Sequence, residues 1–200
     1  LDLGPGDVAI VPSVTFLATA NCVRYVDAEV VFADVDSETG LMGAEHLEEA
    51  LRKVGSRRAR AVLPVHLSGQ ACDMAAIRQV ASRHGLSVVE DACHALGSEY
   101  AASASSEMAG LKVGSGRLST MAVFSFHPVK TVAMGEGGAI TTDDPVLARR
   151  LRHLRSHGMI HEAAALDLPE LAYDSKGQPN EWLYAMPQRS EEHTSELQSH

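Results

Sequence analysis

The sequence predicts an α/β fold, a three-layer sandwich with a mostly parallel sheet in its centre. Short apolar runs alternate along the chain with longer stretches of helical periodicity. Several of the runs consist of Val, Ile and Leu without polar alternation, which is typical of strands covered on both faces. This rhythm implies crossover connections, with functional groups gathered where strands end.

The pattern predicts six strands and four helices. Asp73 is a suitable N-cap for the third helix, and Pro145 suits the first turn of the fourth. Gly85 and Gly158 are suited to end these two helices. Residues 101–116, rich in Ala, Ser and Gly, are expected to lie outside the sheet. The predicted strands are 8–11, 30–35, 61–65, 86–90, 121–126 and 139–142, and the predicted helices are 15–25, 43–54, 74–84 and 145–157.

Composition narrows the class of protein. The chain has 200 residues, 45% of them hydrophobic, which is enough for one sizeable core. A net charge of -9 argues against non-specific nucleic-acid binding. Cys22, Cys72 and Cys93 are widely spaced, which indicates neither a disulfide framework nor a zinc site and favours a reducing, cytoplasmic compartment. No apolar run approaches the roughly 20 residues of a membrane-spanning helix.

Both ends of the sequence predict a fragment. The chain begins at Leu1 rather than methionine, and the turn-forming residues 3–7 lead into the first strand as if from an earlier element. Residues 189–200 have almost no apolar content or periodicity, and they resemble a translated sequencing-adapter read-through. We therefore expect one partial domain over residues 1–188 and a non-native tail over residues 189–200.

Two residues carry the chemistry that the sequence predicts. Lys130 follows an apolar strand and precedes Gly135–Gly138, and Asp91 ends another apolar strand. Pyridoxal phosphate (PLP) needs a lysine that bonds to it covalently and a carboxylate that keeps its pyridine nitrogen protonated. An aspartate and a pyridinium stabilise each other's charge in a desolvated site. The pair therefore predicts a PLP site.

Each residue also has a simpler interpretation. Alone, Asp91 would more often cap a turn, and Lys130 would more often be a surface charge, although its apolar neighbours argue against that. Ser125 could donate to the cofactor phosphate or merely pack. His94 could form a polar wall of the site. His66 is equally consistent with the same cleft and with a structural histidine.

Other cofactor classes fit less well. Gly114-Ser115-Gly116 lacks the final glycine of a dinucleotide fingerprint and precedes a strand, which makes a Rossmann dehydrogenase a poor fit. Cys93 and His94 are adjacent, but no second ligand pair lies at a workable spacing for a metal.

Four segments together resemble the DegT/DnrJ/EryC1/StrS sugar aminotransferases, which are fold-type-I PLP enzymes with an aspartate aminotransferase-like large domain. The resemblance implies that Lys130 binds the cofactor covalently and moves protons, and that Asp91 holds the pyridinium. It implies that Phe16 stacks on the ring, Ser125 binds the phosphate and His94 lies beside the cofactor. Dehydrating members carry histidine at the position of Lys130, so lysine favours amino transfer. The segments are 11–19, 64–70, 90–97 and 125–138.

Within the family, further segments are similar to members of pseudaminic acid biosynthesis. These aminate C4 of a UDP-linked 4-keto-6-deoxy-N-acetylhexosamine with glutamate as the donor. The resemblance implies a homodimer when the protein is complete. It also implies that the turn binding the PLP phosphate precedes Leu1 and that a C-terminal domain follows Gln188, so we expect the fragment alone to be inactive. The segments are 113–117, 125–135, 155–159 and 181–186.

Three other functions stay open on the sequence alone. One is amination of another nucleotide keto-sugar, at C3 or C4 and including dTDP-linked sugars. The second is a different fold-type-I PLP activity, such as a desulfurase or lyase with Cys93 as a thiol helper. The third is a non-catalytic homologue that binds PLP or a nucleotide sugar, against which the intact Lys130 and Asp91 argue.

Overall fold

The computed structural model describes residues 1–100, 110–159 and 172–180. The chain divides into two compact units, Leu1–Asp144 and Pro145–His200. The first unit contains all six described strands and three helices. The strands are β1 (Asp7–Pro12), β2 (Glu29–Ala33), β3 (Arg58–Val62), β4 (Ser87–Asp91), β5 (Met121–Ser125) and β6 (Gly138–Thr141). The helices are α1 (Leu17–Arg24), α2 (Ala44–Val54) and α3 (Met74–Arg83).

The strands form one sheet in the order β2-β1-β3-β4-β5-β6. All neighbours are parallel except β5 and β6, which are antiparallel. The chain runs from β1 to β2 on one side and then crosses back to β3 on the other side of β1, so the strand order reverses between β1 and β3. In open α/β sheets such a point is where the carboxyl ends of strands open a crevice for a ligand.

Helices cover both faces of this sheet. On one face, α2 and α3 bury Leu47, Met74 and Ile77 against Ile10 and other β-strand residues. On the opposite face, α1 packs Ala20 and Val23 against Val11, Ala61 and Leu63. The predicted three-layer α/β sandwich with a mostly parallel sheet is therefore confirmed.

The predicted elements are confirmed with small shifts at their ends, and β3 shifts most. The prediction covered residues 61–65, whereas β3 ends at Val62. The Leu63 backbone N–H still donates to Ile10 (2.9 Å), but Pro64 has no N–H to donate. The chain then follows β4 alone, where the Asp91 N–H donates to the Pro64 carbonyl (2.8 Å) and Val65 forms an isolated bridge with Asp91.

The predicted signals at the ends of α3 are also confirmed. The Asp73 carboxylate accepts a hydrogen bond from the Ala76 N–H at 3.1 Å. Gly85 follows the helix with φ of +64°, and the Leu86 N–H donates back to the Ala81 carbonyl at 2.9 Å. This is the backbone closure that glycine favours after a helix.

The second unit contains α4 (Pro145–Arg155) among its described residues. Its end is followed by Gly158 with φ of +73°, whose N–H donates to the His153 carbonyl at 2.8 Å. Residues 101–109 of the predicted loop and the predicted tail at 189–200 lie outside the described residues. Across the described ranges, no helix is long and apolar enough to cross a membrane.

Candidate active site

Asp91 lies at the carboxyl end of β4, between the ends of β3 and β5. Its main chain is fixed, because its N–H donates to Pro64 and its carbonyl accepts from the His66 N–H at 3.0 Å. Its carboxylate oxygen Oδ1 accepts from the Cys93 N–H at 3.2 Å. One carboxylate oxygen therefore serves the turn after β4, and the other does not.

The second carboxylate oxygen is held by a residue of α1, which is distant from Asp91 in the sequence. The Thr19 hydroxyl donates to Asp91 Oδ2 at 2.6 Å, and Thr19 is buried at 5% exposure. The Thr15 hydroxyl lies 2.7 Å from the Thr19 oxygen. Thr19 was not predicted from the sequence. Two threonines four residues apart at the start of a helix, one of them on its buried face, were the available signal.

Lys130 lies in the turn after β5, the strand next to Asp91. Its N–H donates to the His127 carbonyl at 2.9 Å, and its side chain is half-buried. The expected apolar enclosure is only partial, because Val129 is 78% exposed. The Asp91 carboxylate and the Lys130 ammonium both influence the pKa of the Cys93 thiol, in opposite directions.

The two thiols near Asp91 are protonated at neutral pH. Burial raises the pKa of Cys93 to about 12, helped by its hydrogen bond to Asp91 and by that carboxylate's charge, while the Lys130 ammonium acts in the opposite direction. Burial also raises the pKa of Cys22, and Asp91 adds to that effect. A thiol is nucleophilic as the thiolate, so neither cysteine is poised for attack.

The remaining predicted residues border the same edge of the sheet. Ser125 ends β5, and its oxygen accepts from the His127 N–H at 3.3 Å. Phe16 precedes α1 and is 74% exposed. His94 is exposed in the turn after β4, where its Nδ1 accepts from the Ser68 N–H at 3.3 Å. An exposed aromatic side chain and an exposed imidazole are available to a ligand at this edge.

His66 lies elsewhere, on the face of the sheet opposite α1. It is fully buried, and its Nε2 lies 2.7 Å from Glu90 Oε2. Because His66 Nδ1 accepts from the Cys72 N–H (3.1 Å), the proton is on Nε2 and is donated to Glu90. The structural interpretation of His66 is the one that the geometry favours. Neighbouring positions on a strand point to opposite faces, which separates Glu90 from Asp91.

Glu90, which lies at the centre of a buried hydrogen-bond cluster, was also not predicted from the sequence. It accepts hydrogen bonds from His66, from the Tyr100 hydroxyl at 2.5 Å and from the Ser119 hydroxyl. Burial raises the pKa of Glu90. The three hydrogen bonds and the charge of His66 together lower the pKa by more, so the net shift is downward. A charged residue inside an otherwise apolar strand was the signal for this cluster.

Comparison with known proteins decides the family. The DegT/DnrJ/EryC1/StrS aminotransferase family matches residues 1–172. The chain belongs to this family. Among solved structures, DesV of S. venezuelae, in complex with a ketimine intermediate, is 41% identical with a TM-score of 0.67 over 78% of the chain. PseC of Helicobacter pylori, an aminotransferase involved in the biosynthesis of pseudoaminic acid, is 31% identical with a TM-score of 0.66 over 80% of the chain.

A third member of the family links the fold to the cofactor. The putative sugar aminotransferase Spr1654 of Streptococcus pneumoniae, in its PLP form, is 26% identical with a TM-score of 0.68 over 92% of the chain. The chain spans 38% of DesV, 39% of PseC and 44% of Spr1654. It therefore corresponds to less than half of each of these family members.

The side chains present fit PLP in the DegT/DnrJ/EryC1/StrS manner. Asp91 has lone pairs free to accept from the ring nitrogen of PLP, and Lys130, after the neighbouring strand, has an amine able to bond to its aldehyde. Ser125 uses its oxygen as an acceptor, and among the described residues its hydroxyl proton has no acceptor, so it can be donated to a phosphate. No group of three metal-ligating side chains occurs within the described ranges.

Proposed function

We propose that this chain is part of a PLP-dependent nucleotide-sugar aminotransferase, with glutamate as the amino donor. The observation that carries the proposal is that Asp91 ends β4, while Lys130 follows β5, the strand paired with β4. Family membership over residues 1–172 supports it. PLP supplies an electron sink that lets an amino group leave one carbon and be passed to a keto carbon.

Each predicted residue has a task in this proposal. Lys130 binds the cofactor covalently and, once displaced, moves protons beside it. Asp91 keeps the ring nitrogen protonated. Ser125 donates to the phosphate, Phe16 covers the ring, and His94 supplies a polar wall.

The substrate that we propose is a UDP-linked 4-keto-6-deoxy-N-acetylhexosamine, aminated at C4. Its support is the likeness to PseC and the sequence segments that resemble members of that pathway. The competing substrates are other keto-sugars linked to UDP or dTDP, aminated at C3 or C4. A desulfurase or lyase that uses Cys93 is disfavoured, because burial and Asp91 keep that thiol protonated.

The cofactor site is tested by locating the bound cofactor in the full-length protein. We expect a yellow protein, and we expect reduction with borohydride followed by peptide mass spectrometry to find the cofactor on Lys130. Lys130→Ala should abolish both the colour and transamination. Lys53→Ala is the matched control, because Lys53 is an exposed helix lysine paired with Glu49 at 3.1 Å. A colourless wild type, or the cofactor on another lysine, would overturn the proposal.

The substrate is tested separately with the same protein. UDP- and dTDP-linked keto-sugars are each incubated with glutamate, and formation of 2-oxoglutarate and of the amino sugar is measured. We expect the highest kcat/KM for the UDP-linked 4-keto-6-deoxy-N-acetylhexosamine, with the new amine at C4. A clear preference for a dTDP-linked sugar or for C3 would reject this substrate and leave the aminotransferase assignment in place.

A further inference from the structure

Asp91 is held from two sides, and the second side comes from α1. The Cys93 N–H on Oδ1 belongs to the turn that directly follows Asp91. The Thr19 hydroxyl on Oδ2 comes from a residue 72 positions away. The hydrogen bond from Cys93 is set by the local chain, whereas the hydrogen bond from Thr19 ties the carboxylate to another element. Thr19 therefore fixes the rotation of the Asp91 carboxylate relative to the body of the sheet.

The direction of the hydrogen bonds follows from the charge of the carboxylate. An ionised Asp91 can only accept, so Thr19 uses its one hydroxyl proton on Oδ2. Thr15 must then donate its single hydroxyl proton to the Thr19 oxygen, across 2.7 Å. The result is a directed chain from Thr15 through Thr19 to Asp91.

We propose that Thr19 is a positioning residue for Asp91 and that Thr15 supports it. The proposal rests on the proposed function, in which Asp91 keeps the pyridine nitrogen of PLP protonated. Thr19 acts through Asp91, because its only proton is already committed to the carboxylate and it is 5% exposed. By fixing the carboxylate, Thr19 keeps the negative charge close to the ring nitrogen, where a small displacement weakens the interaction strongly.

The chain also links the two parts of the site that bind the ring. Phe16, the aromatic residue predicted to cover the ring, lies between Thr15 and α1. Thr15 and Thr19 thus tie the segment that carries Phe16 to the residue proposed to hold the ring nitrogen. Losing the Thr19 hydroxyl should therefore lower the pH at which the ring nitrogen loses its proton, and it should also reduce the affinity for the cofactor.

The test measures the protonation of the ring nitrogen directly. The full-length protein is loaded with PLP labelled with 15N in the ring, and the nitrogen chemical shift is followed against pH. Thr19→Val removes the hydroxyl at nearly constant shape, and Thr19→Ser retains it. In Thr19→Val we expect the ring nitrogen to lose its proton at a pH about one unit lower, with PLP affinity reduced about tenfold. Thr19→Ser should behave like the wild type.

A matched control removes the same kind of bond elsewhere. Thr39 donates its hydroxyl to Asp36 at 2.8 Å in an exposed turn. Thr39→Val should leave both the nitrogen titration and the PLP affinity unchanged. The thermal midpoint of the apo protein is recorded for every variant, so that a purely structural loss is recognised. If Thr19→Val does not fold, Thr15→Val replaces it and should shift the titration in the same direction by a smaller amount.

The outcomes separate this proposal from the one on which it rests. A wild type that binds no PLP overturns the proposed function and the role of Thr19 together. A wild type that binds PLP, with Thr19→Val (or Thr15→Val in its place) changing only the thermal midpoint, overturns the positioning role alone. A shifted nitrogen titration with rescue by Thr19→Ser supports it.

Discussion

Gly114 is a single residue on which the packing beside β5 depends. Its φ is +79°, and a Cβ atom there would lie 2.6 Å from Cζ of Phe124, a buried side chain. Its carbonyl also accepts from the Thr141 hydroxyl at 2.7 Å. Both the backbone conformation and the missing side chain are therefore required at this position.

We predict that Gly114→Ala destabilises the full-length protein by about 3 kcal/mol, from left-handed backbone strain and overpacking together. Gly85→Ala is the control, because Gly85 has φ of +64° but nothing within 4 Å of the added Cβ. It should cost only about 1 kcal/mol. Urea unfolding of both variants measures the difference. Equal losses would show that the contact with Phe124 costs nothing.

The site residues differ in how visible they are in the sequence. Asp91 and Lys130 were singled out from the sequence because Asp91 ends an apolar strand and Lys130 follows another, and their roles stay predictions. Thr19 was not, since a threonine in a helix has no distinctive pattern and its partner is 72 residues away. Glu90 was not singled out from the sequence. Alternation along the strand puts the two carboxylates on opposite faces, and only the structure shows which face has hydroxyl and imidazole donors.

At the level of elements, the cluster around Glu90 joins β4 to three other segments. Its donors are His66 from the segment after β3, Tyr100 from the segment after β4, and Ser119 just before β5. A buried carboxylate with three donors is stable in its charged form, but removing its charge leaves donors without a good acceptor.

We predict that Glu90→Gln lowers the free energy of unfolding of the full-length apo protein by about 3 kcal/mol at pH 7. The folded pKa of Glu90 lies below its ordinary value of 4.5. Its contribution to stability is therefore complete well above pH 4.5 and is lost as the pH falls from there through the lower folded pKa. The gap between the wild type and the variant should therefore narrow from pH 7 to pH 4.

The control for this prediction is Glu48→Gln, which breaks an exposed ion pair with Arg83. It should change the free energy of unfolding by less than about 1 kcal/mol, because exposed pairs contribute little. Curves for wild type and Glu90→Gln that run parallel from pH 7 to pH 4 would contradict the assignment of the charge to Glu90.

The elements themselves were predictable because their signals are local. Short apolar runs marked every strand of the sheet, and Asp73 and Gly85 marked the ends of α3. The end of β3 was wrong by a few residues, because apolar residues continue to Val65 while Pro64 removes a ladder donor. Strand order and the antiparallel pairing of β6 depend on contacts between distant segments, which no local pattern specifies.

For the molecule as a whole, the exposed apolar side chains near the site have a consequence. Phe16 and Leu17 are 74% and 66% exposed, and Val129 and Met134 are 78% and 65% exposed. These residues come from the same two segments that carry the candidate aromatic and lysine. Single exposed apolar residues are ordinary, but several in the segments that form one candidate site make an apolar surface that favours contact with another protein surface.

We therefore predict that the 200-residue chain alone has no measurable transamination and binds a hydrophobic dye, whereas the full-length protein is active and does not bind the dye. The physical reason is that the chain spans only 38% to 44% of the compared proteins. The uncovered apolar surface both weakens the fold and leaves the site open to water.

Dye fluorescence and 2-oxoglutarate formation are measured at equal protein concentrations. Adding Phe16→Ser and Val129→Ser to the short chain should lower dye fluorescence without restoring activity. Appreciable turnover by the unmodified short chain would contradict the prediction, because it would show that the described residues alone complete the site.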